Sequence, residues 1–288
     1  MILIIDIEGL EVLKRILRMT LPSDIRIRLL SSLVLLSAVI FSLAKGGIYF
    51  TVFLIIVSLF MIFEWMRLIS KNYWIIRGLI ASTGLVIILM LDSINSLSVI
   101  TFFLSFLFLI IFSKLTIDNY KMSSFGFIYI LLSILTINWL RDADQGLLSL
   151  TIILSTIFVS DIAAYIFGSL LGGPKLFKII SPNKTLSGFI AAFIIGIFWF
   201  VFLTLNYSNS YNFNNIFLGF GIVFLSIIGD LFISSLKRKA NIKDSGIFIP
   251  GHGGFLDRAD SILPVFFLMP LYTVYMNTIE NPSLIILG

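Results

Sequence analysis

Apolar runs long enough to cross a bilayer recur along this sequence, and nothing constrains its fold more. A spanning helix needs roughly 17 to 25 mostly apolar residues. Such runs fall at about 29–44, 46–66, 75–91, 96–113, 122–140, 147–168, 186–206, 215–236 and 261–279. The stretch from Thr185 to Gly229 carries no charge, but Asn206-Tyr207-Ser208-Asn209-Ser210 supplies the polar turn that divides it into two helices. The expected fold is all-α: a polytopic integral membrane protein of about nine transmembrane helices. Composition agrees, with 59% of the 288 residues apolar and 12% charged, about half the roughly 25% charge of a soluble domain.

Orientation follows from the basic residues, which concentrate on the cytosolic side of bacterial spans. Nine spans place Lys14, Arg15, Arg18, Arg26, Arg28, Arg67, Lys71, Arg77, Lys114, Lys121, Lys175, Lys178, Lys184, Lys237, Arg238, Lys239, Lys243 and Arg258 on the N-terminal side. Only Lys45 and Arg141 of the twenty fall opposite. The N-terminus and the polar connections are therefore expected in the cytoplasm, with the protein in the cell membrane. The net charge of +5 reflects this topology, so nucleic acid is not needed as a partner. The first charges are the acids Asp6, Glu8 and Glu11, unlike a cleavable signal peptide, and the N-terminus is expected to be retained. Residues 1–28 suit an interfacial or cytosolic segment, and 29–288 one transmembrane catalytic domain whose chemistry lies within 147–280. No feature fixes the oligomeric state; a homodimer is compatible with the sequence.

Two connections on the expected cytosolic side stand apart: Ser169 to Thr185, and Lys237 to Asp260. The second packs Lys237, Arg238, Lys239, Lys243, Asp244, Asp257, Arg258 and Asp260 around the one histidine, His252. Asp161 and Asp230 lie inside spans about two helical turns from the same face, where an ionisable group costs on the order of 2.5 kcal/mol and should meet water, a cation or a partner charge. Asp230, Ser234 and Lys237 share one helix face, as do Asp161, Tyr165 and Gly168. Glu64 is a third buried acid, placed where it could pair with Arg67. Glycines 251, 253 and 254 permit positive φ and close backbone approach to an anion; a bare turn would use the same residues. Asp257 and Asp260 could cap a helix start or, with Asp230, form an oxygen-rich cation site. The absence of cysteine leaves oxygen ligands or His252 for any metal, which favours hard cations. Cations, carboxylates and glycine turns at a membrane face suit a metal-bound polyphosphate meeting a lipid phosphate. The phosphate monoester is already ionised near neutral pH. No strong base is required, and His252 is left to bond a phosphate or to shape its loop.

Ser234-Ser-Leu-Lys-Arg238, Lys243-Asp244-Ser-Gly246 and Pro250-Gly-His-Gly-Gly-Phe-Leu-Asp-Arg-Ala-Asp260 closely resemble the signature of the bacterial phosphatidate cytidylyltransferases. Asp161-Ile-Ala-Ala-Tyr165-Ile-Phe-Gly168, Ser181-Pro-Asn-Lys-Thr185, Gly188 and Gly229-Asp230-Leu231 look like further landmarks of that family; Glu64-Trp65 is a weak echo. The resemblance implies transfer of a cytidylyl group from CTP to phosphatidic acid, giving CDP-diacylglycerol and pyrophosphate with Mg2+ as cofactor. It implies Asp230 and Asp257, and further Asp161 and Asp260, as metal acids, and Lys184, Lys237, Arg238 and Lys243 facing phosphates. Within the same motifs Asp244, His252 and Arg258 are carried as catalytic candidates, and Ser181, Thr185, Ser234, Gly253 and Gly254 as substrate-binding ones. Two departures are Ala259, where a larger apolar residue is usual, and Ser187, where a Glu is common.

Two other readings compete. A small transporter would also bury acids, but its site should lie near mid-membrane between related halves, whereas here the polar cluster sits on one face. Another CTP-dependent lipid phosphotransferase is the second alternative; the multi-Asp helical motif of CDP-alcohol phosphotransferases is absent from the sequence.

Overall fold

The computed structural model describes residues 25–91, 96–117, 119–207, 214–246, 248–251 and 253–287. Most of the expected segment 1–28 and His252 lie outside the described residues, as do 208–210 of the expected turn. Eight helices follow the first eight apolar runs: α1 (Ile25–Lys45), α2 (Gly47–Ile69), α3 (Trp74–Met90), α4 (Ser96–Thr116), α5 (Tyr120–Asp142), α6 (Gly146–Leu171), α7 (Leu186–Tyr207) and α8 (Asn214–Lys239). Six of them, α1, α2, α5, α6, α7 and α8, are long and apolar enough to cross a membrane. Helix α3 and residues 100–116 of α4 form shorter apolar helices. The chain is an all-α, multi-pass membrane protein.

The ninth run departs from expectation. Instead of one helix over 261–279 there is a single turn, α9 (Leu256–Ala259), a bend at Asp260–Ile262, and then α10 (Leu263–Tyr275). Pro264, at the start of α10, has no N–H to donate to the Asp260 carbonyl, so the helical ladder breaks there. The 13 residues of α10 rise only about 20 Å, and the chain then turns to a last short helix, α11 (Leu284–Leu287). The C-terminal segment is tied to the connection between α5 and α6, where the Ser283 hydroxyl donates to the Asp144 carbonyl.

The core is built on α2, α5 and α10. Met61, Ile62, Trp65 and Met66 of α2 are fully enclosed with Phe127, Ile130 and Leu131 of α5 and Phe266 of α10. Helices α6 and α7 pack differently, across a stripe of small residues. Gly188, Ala192 and Gly196 are the buried residues of one α7 face, and a Cβ on Gly188 would collide with the Ala164 carbonyl of α6. Where lipid surrounds helices, backbones come together by close van der Waals packing rather than by a hydrophobic drive, and small residues permit it.

Two arginines counted by topology as membrane-flanking cations are used internally. Arg77 is fully buried and donates to the carbonyls of Met66, Ser70 and Asn72 at 3.2, 2.6 and 2.9 Å, adding donors where the end of α2 runs short of helical ones. Arg141 does the same for α1, donating twice to the Leu43 carbonyl at 2.9 and 2.7 Å. Between α6 and α7 a two-stranded antiparallel hairpin, β1 (Lys175–Phe177) and β2 (Ser181–Thr185), pairs Lys175 with Thr185 and Phe177 with Ser181. The apolar periodicity gave no sign of it.

Candidate active site

A cavity of about 790 Å³ opens between α6, α7, α8, the hairpin and the bend after α9. Asp161, Lys184, Thr185, Asp230, Asp257 and Asp260 all line it. Part of its wall is apolar, made by Ala164, Phe189, Ala192 and Ile227. Helix α8 meets the bend with no room to spare, because a Cβ on Gly229 would collide with the Asp260 carbonyl and the Pro264 ring. That contact sets Asp230 beside Asp260. Lys184 reaches from the hairpin to pair with Asp230 Oδ2 at 2.5 Å, and the Ser234 hydroxyl donates to Asp230 Oδ1 at 3.1 Å. Asp161 bonds the Ser261 side chain and feels the charge of Asp230, while Asp260 feels the charges of both Asp230 and Asp161.

The loop from Asp244 to Asp257 is closed by a second set of acids. Asp257 Oδ2 accepts from the backbone N–H groups of Ser245 and Gly254 at 2.8 and 3.0 Å, and its Oδ1 pairs with Lys237 Nζ at 2.7 Å. Burial alone would raise the Asp257 pKa; the Lys237 ammonium and the two backbone N–H groups outweigh it and hold the carboxyl below its ordinary value. Glu64, 2% exposed, does not pair with Arg67. Its carboxylate leaves α2 for the loop, accepting from Phe255 N–H at 3.0 Å, Leu256 N–H at 2.9 Å and the Ser245 hydroxyl at 2.8 Å. Gly253 has φ +84°, a left-handed conformation that a side chain would strain. Gly254 serves by closeness instead, since a Cβ there would strike Glu64 and Ser245.

The cytidylyltransferase family model matches residues 26–277, from α1 through α10. The chain belongs to this cytidylyltransferase family. Among its relatives is the phosphatidate cytidylyltransferase of Staphylococcus aureus strain COL, 29% identical over 269 residues, which cover 87% of this chain and 98% of that protein. The phosphatidate cytidylyltransferases of Staphylococcus saprophyticus and Staphylococcus epidermidis strain RP62A are 27% and 29% identical over 261 residues, with the same coverage.

Within this family member the residues singled out by sequence fall into three groups. Asp161, Asp230, Asp257, Asp260, Lys184 and Thr185 share the cavity wall. Thr185 is also structural: buried, it accepts from the Gly188 N–H at 3.2 Å and so caps α7. Lys237, Ser234, Gly253 and Gly254 stand behind the acids as described. Ser181, Arg238, Lys243, Asp244 and Arg258 are not among the residues that line the cavity; Arg238 Nε donates to the Ile180 carbonyl at 3.3 Å and ties α8 to the connection between the strands. Ser187, at the position where Glu is common, donates to the Gly172 carbonyl and lies 3.1 Å from the Thr185 hydroxyl, so its hydroxyl serves the start of α7. Sequence reasoning missed Glu64 as a part of the site, together with Ser245 and the hairpin. Phe60 was missed too: one helical turn before Glu64, it stacks on Phe255 at 4.9 Å between ring centres and packs on Phe248 at 4.7 Å.

Among the described residues no three metal-binding side chains are gathered tightly enough to hold an ion by themselves. The donors that face the cavity are nonetheless hard carboxylate oxygens, and Mg2+ is commonly held by one or two carboxylates completed by substrate phosphates and water. Asp230 and Asp260, on one cavity wall with Asp161, have the chemistry for an ion of that kind.

Proposed function

We propose that this chain transfers the cytidylyl group of CTP to phosphatidic acid, producing CDP-diacylglycerol and pyrophosphate. The observation that carries the reading is a single cavity in which four carboxylates and Lys184 meet an apolar wall of Ala164, Phe189, Ala192 and Ile227. One end suits a charged polyphosphate and the other the start of an acyl chain. Membership of the family and the names of its relatives agree with it. In this scheme a phosphate oxygen of phosphatidic acid forms a bond to the α-phosphorus of CTP as the bond from that phosphorus to the β-phosphate bridge breaks, and pyrophosphate leaves. The monoester is ionised near neutral pH, with a second pKa of about 6, so no side chain need remove a proton.

Asp230 and Asp260, with Asp161 beside them, would hold Mg2+, which supplies charge neutralisation for the nucleotide phosphates. Lys184, paired with Asp230, and Lys237, paired with Asp257, would attract the departing pyrophosphate as charge shifts onto it. Arg238, Lys243 and Arg258 would draw both anionic substrates towards this end of the bundle. The cavity is taken to face the cytoplasm from the cell membrane, because eighteen of twenty basic residues sort to that side and CTP is found there. Purified protein with Mg2+, CTP and phosphatidic acid should release pyrophosphate and form a CDP-lipid in equal amounts. Absence of both products across several acyl chains would overturn the assignment.

A transporter is disfavoured by the position of the acids. They lie towards one end of α6 and α8 and at the entrance to a broken helix, beside a loop whose hydrogen bonds are internally closed, and a mid-membrane pathway would not need that loop.

A further inference from the structure

Glu64 belongs to no part of the chemistry just described, yet its carboxylate accepts three hydrogen bonds, as many as Asp257 accepts. It lies on α2, 181 to 192 residues away from its partners in the chain. Oε2 accepts from the Ser245 hydroxyl and the Leu256 N–H, and Oε1 from the Phe255 N–H. These three donors sit at the two ends of the loop, and Asp257 clasps the same ends through Ser245 N–H and Gly254 N–H. Two carboxylates thus hold the same two ends of the loop together. Gly246 and Gly254 have no space for a Cβ because Glu64 fills it. The acid is itself held firm: its neighbour Trp65 is fully buried, donates to the Met122 carbonyl at 3.0 Å, and is pressed against Gly126 of α5.

We propose that Glu64 is a positioning residue for the cytidylyl transfer: it fixes the loop so that Asp257 holds Lys237 at the edge of the acid-lined cavity. The proposal rests on the function assigned above. A carboxylate is required because all three partners are donors and only a group with no donors of its own accepts from all of them. The isosteric amide of Gln would keep the volume but turn an N–H₂ towards one of them, leaving a buried donor facing a donor. Asp257 would then lose its fixed approach to Ser245 and Gly254, and Lys237 its fixed partner. The consequence falls on the nucleotide side of the reaction, since Lys237, the partner of Asp257, is the lysine assigned to the departing pyrophosphate.

The test compares wild type, Glu64→Gln and Ser245→Ala in detergent micelles, after size-exclusion and thermal-melt profiles show each to be folded at the assay temperature. Glu64→Gln should lower kcat about 100-fold and Ser245→Ala about 10-fold, with the KM for phosphatidic acid within twofold of wild type in both. The double variant should be no worse than Glu64→Gln within threefold, because both act on one network. Amide hydrogen exchange at Phe255 and Leu256 should accelerate in Glu64→Gln. Wild-type kcat in Glu64→Gln would overturn the proposal, because a residue that merely fills space is replaced by Gln without loss. So would a loss confined to the KM for phosphatidic acid, or fully multiplicative effects in the double variant. If Glu64→Gln does not fold, Ser245→Ala decides alone: unchanged kcat with unchanged exchange at Leu256 refutes it. Failure of the wild type to form any CDP-lipid would instead refute the underlying function.

Discussion

The two groups of acids at this end of the bundle carry similar residues in opposite conditions. Glu64 and Asp257 are saturated: between them they accept from four backbone N–H groups, one hydroxyl and the Lys237 ammonium. Asp161, Asp230 and Asp260 line an open cavity within reach of one another's charge, and Lys184 pairs with Asp230 there. Buried carboxylates with full complements of donors shape a backbone, while carboxylates set to repel one another gain from a cation placed among them. The difference separates scaffold from chemistry more clearly than residue type does, since all five are simply Asp or Glu in a hydrophobic chain.

The largest expected effect comes from the open group. Asp230→Asn should lower kcat/KM by about 10³-fold, about 4 kcal/mol at 1.36 kcal/mol per factor of ten, while the thermal midpoint stays near that of wild type. A variant that melted early but turned over normally would reverse the roles assigned to the two groups. A smaller effect of the other kind is expected from the lysines. Lys237→Ala strands an Asp257 side chain only 8% exposed and should cost about 3 kcal/mol of stability, visible as a lower melting midpoint. Lys184→Ala, whose pair with Asp230 is about one third exposed on both sides, should leave the midpoint nearly unchanged. Equal shifts from the two lysines would erase the distinction.

The smallest effect is a pH dependence. Because the folded protein lowers the Asp257 pKa, this carboxylate contributes stability that is fully present above its unfolded value, about 4, and is lost as pH falls through the lower folded value. Wild type should therefore melt above Asp257→Asn by a constant margin from pH 6 to 8, and the margin should shrink below about pH 4. A margin that widened on acidification would have the wrong sign for a depressed carboxyl.

Much of this was legible in the sequence because hydropathy and helical spacing are local signals. The first eight spans follow from run length, and the shared face of Asp230, Ser234 and Lys237 follows from periodicity; the Ser234 bond to Asp230 is the outcome of that spacing. What escaped depends on contacts between distant segments. Glu64 has Arg67 one turn away, but its true partners lie nearly two hundred residues on, and no local pattern announces that choice. Arg77 and Arg141 look like surface anchors until helix ends with spare carbonyls are folded against them. The hairpin strands, of three and five residues, are too short to show an alternation. Pro264 was visible, but whether a proline breaks or bends a helix depends on what fills the gap, here Gly229 of α8.

The most direct test of the division between the two groups is a structure of the protein soaked with CTP and Mn2+, with the metal located by its anomalous scattering. A peak in the cavity beside Asp230 and Asp260, in contact with nucleotide phosphate, is the result expected. A peak enclosed by Glu64 and Asp257, with the cavity acids left to Lys184 alone, would contradict it.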